Sequence, residues 1–250
     1  MSMIKTKDEI QKIRNVCKIT ATILNNLILH THVGDTGIDV NNRAKNLFEQ
    51  TGVEPVFLHL YGFPATLCIS VNDTVLHGIP NNKPFKEGDV IKFDIGGKLD
   101  GYCSDTAKTF ILGKAKNKNH EKLVQNINKA LMNAIKTIKE GATLSDIAKE
   151  IEAIATKNHY GNITQFHGHG IGQNVHEPPE VYNSVSSVTN NMILKEGLVI
   201  AIEPMFTTGK NNISYDGKHL WDIKTLDGSI SAHVEHTVLV TKKGYEVLTD

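Results

Sequence analysis

The sequence predicts an α+β fold: two α/β halves related by a pseudo-twofold axis, with an antiparallel-rich sheet inside and helices outside. Two observations carry this. KEGDVIKFD (86–94) returns 109 residues later as KEGLVIAIE (195–203), each copy an apolar run that ends on a carboxylate, Asp94 and Glu203. The helix-start pattern Gly34-x-Thr36-x-x-Asp39 returns 107 residues later as Gly141-x-Thr143-x-x-Asp146. Two matches in the same order and at nearly one offset read as an internal duplication. The expectation is a single domain over 1–250, with a pseudo-repeat of 6–112 and 117–245. Such an axis sets the repeated strands side by side and brings their acids together at its centre.

The elements follow in order. Thr6 and Glu9 have capping-box spacing, and Ile10, Ile13, Val16 and Cys17 then share one helical face. A second helix runs from its N-cap Thr36 to about Gln50. Residues 66–71 and 74–76 read as strands, with HGIP (77–80) as a turn. Residues 88–112 read as a hairpin turning at Lys98-Leu-Asp-Gly101. Helices return at 118–140 and from Thr143 to near Tyr160-Gly161. A Gly- and Pro-rich stretch, FHGHGIGQNVHEPPEV, precedes strands near 198–206, 219–225 and 231–241.

Composition excludes several classes. The 27 basic and 27 acidic side chains cancel, so nothing marks a nucleic-acid or membrane-surface partner. No apolar run is long enough to span a bilayer, and MSMIKTKDEIQKIR lacks the apolar core of a secretory signal. Cys17, Cys68 and Cys103 are too scattered for a disulfide framework or a CxxC zinc site, which points to the reducing cytoplasm.

The acids are the unusual feature. Strands as apolar as VIKFD and VIAIE are largely buried, and unpaired buried carboxylates are costly. Asp105 lies on the return strand of the Asp94 hairpin, and Glu235 lies in SAHVEHTVLV with Val234, Val238 and Val240 on its alternate face. Four carboxylates converging on one pocket repel one another. A pair of divalent cations balances them, and two of the acids can bridge. In His167-Gly-His169-Gly the glycines let backbone approach closely and free an imidazole to join the set. Oxygen-rich ligation with a single nitrogen suits Mn, Fe, Co or Zn better than Mg alone.

HGIP (77–80), KFDIG (92–96), GYCSDTAKTF (101–110), GHGIG (168–172), HEPP (176–179), IEPMF (202–206) and VEHT (234–237) together resemble the motif series of type I methionine aminopeptidases, in order, from about residue 4 to 248. The resemblance implies the pita-bread fold with its duplicated halves. It also implies removal of the N-terminal methionine from peptides and nascent chains with a small second residue. Carried over position by position, it implies that Asp94, Asp105, His169, Glu203 and Glu235 hold two divalent ions, with Asp105 and Glu235 bridging. Glu203 would shuttle the proton. His77 would contact the substrate beyond the scissile bond, and His176 would hydrogen-bond its carbonyl. Phe57, Leu60, Phe63, Cys68 and Trp221 fall on the family's specificity pocket. Leu60 stands where a tyrosine is common and Phe63 replaces another, so the pocket keeps its apolar character but loses hydroxyls. Ser70, Asn72, Thr74 and Ser231 fall where the family can hold a monovalent cation, Na or K. His167, His233 and His236 are expected to be structural hydrogen-bonders.

The rival classes are less well matched. Prolidases and X-prolyl aminopeptidases of the same superfamily carry an extra N-terminal domain, whereas the first motif here is reached by residue 77. A type II enzyme needs a helical insertion in the second half, where Glu203 and Glu235 are only about 30 residues apart. A metal-free binding module would have lost ligands. A monomer that meets nascent chains at the ribosome is the implied setting. The start Met1-Ser2 makes the chain's own N-terminus a candidate substrate.

Overall fold

A computed structural model describes residues 2–185, 191–215 and 217–250 of the chain; Met1, and with it the self-processing reading, lies outside them. Helix α1 (Lys7–Leu29) is closed at its start by a full capping box of Thr6 and Glu9. Helix α2 (Gly37–Thr51) has the same device in Thr36 and Asp39. Strand β1 (Glu54–Pro55) leads to a single 3-10 turn, Leu60–Gly62. Then come β2 (Cys68–Val71), β3 (Thr74–Leu76) and the long hairpin of β4 (Val90–Leu99) and β5 (Tyr102–Ile111). Helices α3 (Lys118–Lys136) and α4 (Leu144–Lys157) follow, α4 starting on the Thr143–Asp146 box.

The remaining strands are short: β6 (Gly161–Asn162), β7 (Gly168–Gly170), β8 (Glu177–Val181), β9 (Val199–Ile202) and β10 (Met205–Thr207). They continue with β11 (Ile213–Ser214), β12 (Ile223–Thr225), β13 (Ser231–His233), β14 (His236–Thr241) and β15 (Gly244–Val247). Every pairing is antiparallel. β4 carries β5 along its full length and β2 and β1 on parts of its length. A second sheet runs β15-β14-β9-β7-β8, and two three-stranded sheets (β13-β10-β6 and β11-β12-β3) flank them. Helices α1 and α2 cover the first sheet over a core that includes Val16, Leu24, Phe48 and Phe93. Helices α3 and α4 cover the second through Ile127, Leu131, Ile147 and Ile151. No described helix is long and apolar enough to cross a membrane.

The two repeated segments fold alike locally. Gly34 donates its N–H to Phe85 O and Phe85 returns one to Asp35 O. Gly141 and Leu194 repeat that pattern, with Leu194 donating to Ala142 O. Both glycines have positive φ, +95° and +88°, which an L side chain rarely adopts.

Several boundaries differ from the sequence reading. The strand expected over 198–206 is cut at Glu203-Pro204, where proline has no N–H for a ladder. That expected over 231–241 is cut at Val234-Glu235. The 219–225 strand is reduced to β12, and the 118–140 helix stops at Lys136. The Gly/Pro-rich stretch, to which the sequence reading assigns no strand, contains β7 and β8.

Candidate active site

The two main sheets meet at one bridge, Ala107 against Glu235, with Glu235 N donating to Ala107 O at 2.8 Å. Buried threonines reinforce the seam: Thr106 Oγ1 donates to Glu235 O (3.0 Å) and Thr237 Oγ1 donates to Asp105 O (2.7 Å). Each candidate ligand is placed by this frame. Asp94 lies mid-strand on β4, so the first repeated strand continues past its acid. Asp105 faces Gly96 across the hairpin. Glu203 and Glu235 occupy the two strand breaks, where released backbone can redirect a side chain. His169 lies on β7, which pairs with β9 at Gly170 opposite Ile200.

The five residues converge. Donor atoms of Asp94, Asp105 and Glu235 lie within 4.8 Å of one another, and so do those of His169, Glu203 and Glu235. Glu235 belongs to both groups. His169 Nε2 is 3.8 Å from Asp105 Oδ2 and 3.7 Å from Glu203 Oε1. His169 Nδ1 donates to Gly170 O at 3.0 Å, which leaves the Nε2 lone pair facing the acids. Burial holds the His169 pKa down at about 3, so the ring is neutral and fit to ligate.

Among the acids the shifts run the other way. Burial, then Glu203's charge, raises Asp94 to about 7. Burial pushes Glu203 up to about 8. Asp105 and Glu235 go well above the carboxylate range, through burial first and their acidic neighbours second. Asp94 Oδ1, Asp105 Oδ1 and Glu235 Oε1 are buried without a hydrogen-bond partner among the described residues. Among the described residues no ammonium or guanidinium faces them within ion-pair distance, and a divalent cation fits that deficit of positive charge.

The acids form the floor of a cavity of about 930 Å³. All five expected pocket residues line it: Phe57, Leu60, Phe63, Cys68 and Trp221. The Trp221 ring meets Phe63 edge-on, with centroids 5.8 Å apart. Gly96 passes under Phe57 so closely that a Cβ there would sit 2.8 Å from the ring. His77 and His176 both line the cavity. His77 Nδ1 donates to Leu220 O at 2.7 Å, and the His176 ring stands nearly perpendicular to that of His169, 4.5 Å away.

Three residues were not foreseen. Tyr61 stacks on His176 at 6.1 Å from a left-handed backbone position; only its place between two pocket positions pointed to it. Asn183, 1% exposed, donates through Nδ2 to Glu203 O at 3.0 Å and fixes the β9–β10 break. His233 departs from the structural role expected of it. Among the described residues neither ring nitrogen has a hydrogen-bond partner, and Nε2 lies 3.3 Å from Glu203 Oε2. His167 and His236 are bonded as expected, to Gly168 O and Thr249 Oγ1.

The glycines around His169 are required by close approach. A Cβ on Gly168 would sit 2.2 Å from Ala201 O, and one on Gly170 would sit 2.1 Å from Pro178 O. Gly170→Ala is therefore expected to cost about 2 kcal/mol, measured as a lower urea midpoint at unchanged m-value. A midpoint equal to the parent's would show that β7 and β8 can separate freely.

Residues 11–242 match the model of metallopeptidase family M24. The chain belongs to that family. This M24 chain is 40% identical over 250 residues to the methionine aminopeptidase of Aquifex aeolicus, spanning 97% of itself and 96% of that protein. Its fold superposes on the crystal structure of methionine aminopeptidase from Rickettsia prowazekii with TM-score 0.95, 33% identity and complete coverage of both chains. The pita-bread fold is shared more widely. The prolidase of Pyrococcus horikoshii gives TM-score 0.80 over 99% of this M24 chain but 63% of its own, at 24% identity, a likeness of fold alone.

Proposed function

We propose that this chain is a type I methionine aminopeptidase, a metal-dependent hydrolase that removes the initiator methionine from peptides and nascent proteins with a small second residue. One observation carries the reading: two donor groups sharing Glu235 line a cleft whose wall includes the apolar side chains of Phe57, Leu60, Phe63, Cys68 and Trp221. The relatives named above support it. So does the repeated Gly34/Phe85 and Gly141/Leu194 pattern, which favours one catalytic domain made of two duplicated halves.

In this reading Asp94, Asp105, His169, Glu203 and Glu235 would hold the ions, Asp94 toward one, His169 and Glu203 toward a second, and Asp105 and Glu235 would serve both. Two such ions, drawn from cobalt, manganese, iron or zinc, supply Lewis acidity and an activated water when bound. The chain's own groups do the rest. Glu203 is the proton carrier, a carboxylate placed beside the activated water and, when it ligates, free to pass a proton on. His176 donates to the scissile carbonyl oxygen as it gains charge, with Tyr61 stacked behind its ring. His77, its Nδ1 committed to Leu220 O, presents Nε2 to the substrate beyond the scissile bond. The free α-amine lies against the buried acids, so a chain can enter by only one residue. Phe57, Leu60, Phe63, Cys68 and Trp221 take the methionine side chain. A monomer acting in the cytoplasm on chains emerging from the ribosome completes the reading.

The test is release of the first residue from Met-Ala-Ser, Met-Lys-Ser and Ala-Pro-Ser by metal-stripped protein with Mn²⁺ or Co²⁺ restored. Metal-dependent release from Met-Ala-Ser alone is the expected result. Cleavage of Ala-Pro-Ser instead would move the chain to the prolyl peptidases, and silence on all three with metal bound would make it a binding module.

A further inference from the structure

Lys92 sits on β4 between Ile91 and Phe93, at 1% exposure, in a strand otherwise almost wholly apolar. The second copy of that strand has Ala201 at the matching place. Among the described residues no carboxylate lies within ion-pair distance of its ammonium group. Nζ instead donates to Asn72 O at 2.9 Å, Ser231 O at 3.3 Å and Ser231 Oγ at 3.2 Å. Ser231 Oγ lies within hydrogen-bond distance of Asn72 O and Thr74 O, at 2.9 and 3.0 Å, so its own hydrogen is committed there and its lone pair faces the lysine. Three acceptors meet one nitrogen, which is the complement of an ammonium with three N–H donors.

Two of the four residues that the family resemblance sets around a monovalent cation, Asn72 and Ser231, supply these acceptors; Thr74 O instead faces Ser231 Oγ at 3.0 Å, and Ser70 Oγ accepts the Gly78 N–H at 3.1 Å. An added sodium or potassium ion would have to share two carbonyls and a hydroxyl with the buried Lys92 Nζ already seated among them, so the residues present do not fit it. We infer that Lys92 is a tethered cation that replaces a diffusible one, joining the β2–β3 turn to β13 so that this chain needs no sodium or potassium ion there. The joint lies two residues from Asp94 on the same strand and one strand break from Glu235, so it positions both without touching substrate. The inference stands on Lys92's own contacts and does not depend on which peptide the cleft accepts.

The test compares thermal midpoints, and metal-restored turnover as a second readout, in sodium, potassium and tetramethylammonium chloride at matched ionic strength. The parent protein is expected to give one midpoint in all three salts. Lys92→Ala is expected to lose about 5–10 °C in tetramethylammonium and to recover most of it, saturably, with sodium or potassium. Lys92→Met, which fills the space without charge, is expected to lose as much and recover nothing. Folding of Lys92→Ala only when a small cation is present counts for the inference. Saturable stabilisation of the parent by sodium or potassium overturns it. So does a Lys92→Ala protein indifferent to the salt, or one unfolded in every salt.

Discussion

Asp105→Asn is expected to lose bound metal and lower kcat/KM on Met-Ala-Ser by on the order of 10³-fold, since a metal's transition-state stabilisation is worth several kcal/mol and each ~1.4 kcal/mol is tenfold. The substitution keeps shape and removes charge, so it isolates the electrostatic role. Asp105 has donor atoms close to both Asp94 and Glu235, and its Oδ2 faces His169 Nε2. Losing it weakens both halves of the ligand set. The same change takes one like charge out of a buried acidic cluster, so the metal-free variant is expected to melt no lower than the metal-free parent. Metal content by mass spectrometry beside the melting curve separates the two effects. A variant that keeps full metal and activity within tenfold of the parent would remove Asp105 from the ligand set.

The second large effect is a reversal of pH dependence by metal. In the metal-free protein, burial raises Asp94 to about 7 and Glu203 to about 8, both above their unfolded values near 4. The folded state therefore binds more protons than the unfolded state through this range. That stabilisation is fully present below about pH 4 and is lost as pH rises through 7 and 8, when these carboxyls must ionise inside the fold. Other groups set stability at acid pH, but between pH 6 and 9 the metal-free midpoint is expected to fall by on the order of 5–10 °C. A divalent ion requires the ionised acids, so its affinity should climb over the same interval and protons should be released on binding. Calorimetry with Mn²⁺ in two buffers of different ionisation enthalpy counts them. A metal-free midpoint that rises between pH 6 and 9 would contradict the buried, unpartnered state of these acids.

Much of this arrangement was legible in the sequence because it is written locally. The three capping boxes at Thr6, Thr36 and Thr143 are three-residue signals, and each starts its helix in the structure. Acids inside apolar strands announce a buried cluster, since burying bare carboxylates needs a compensating cation. Pro204 marks the break after Glu203, whereas the strand break at Glu235 was hidden because the apolar alternation runs straight through it. Only the partner across the seam decides where pairing stops. Strands β7 and β8 were missed because glycine and proline lower strand propensity, while here the glycines serve backbone contacts as short as Gly170 with Pro178. His233 and Asn183 meet Glu203 from segments about 20–30 residues away, which no local spacing reveals. Lys92 is legible only as a lone charge in an apolar run, and its role depends on oxygens brought in from Asn72 and Ser231.

The seam at Ala107 and Glu235 also bears on how the protein reaches its active form. Asp94 and Asp105 come from one sheet, whereas His169 comes from the other and Glu203 and Glu235 from the breaks beside its strands β9 and β14. Neither sheet alone carries the full donor set, so tight capture of metal must await their docking. Residues 94 and 235 are then tied across a loop of well over a hundred residues, and a late tie of that span removes much of the freedom left to a partly assembled chain. With the ligand set proposed above, a molecule whose sheets have docked out of register is expected to be unable to load metal and to stay inactive.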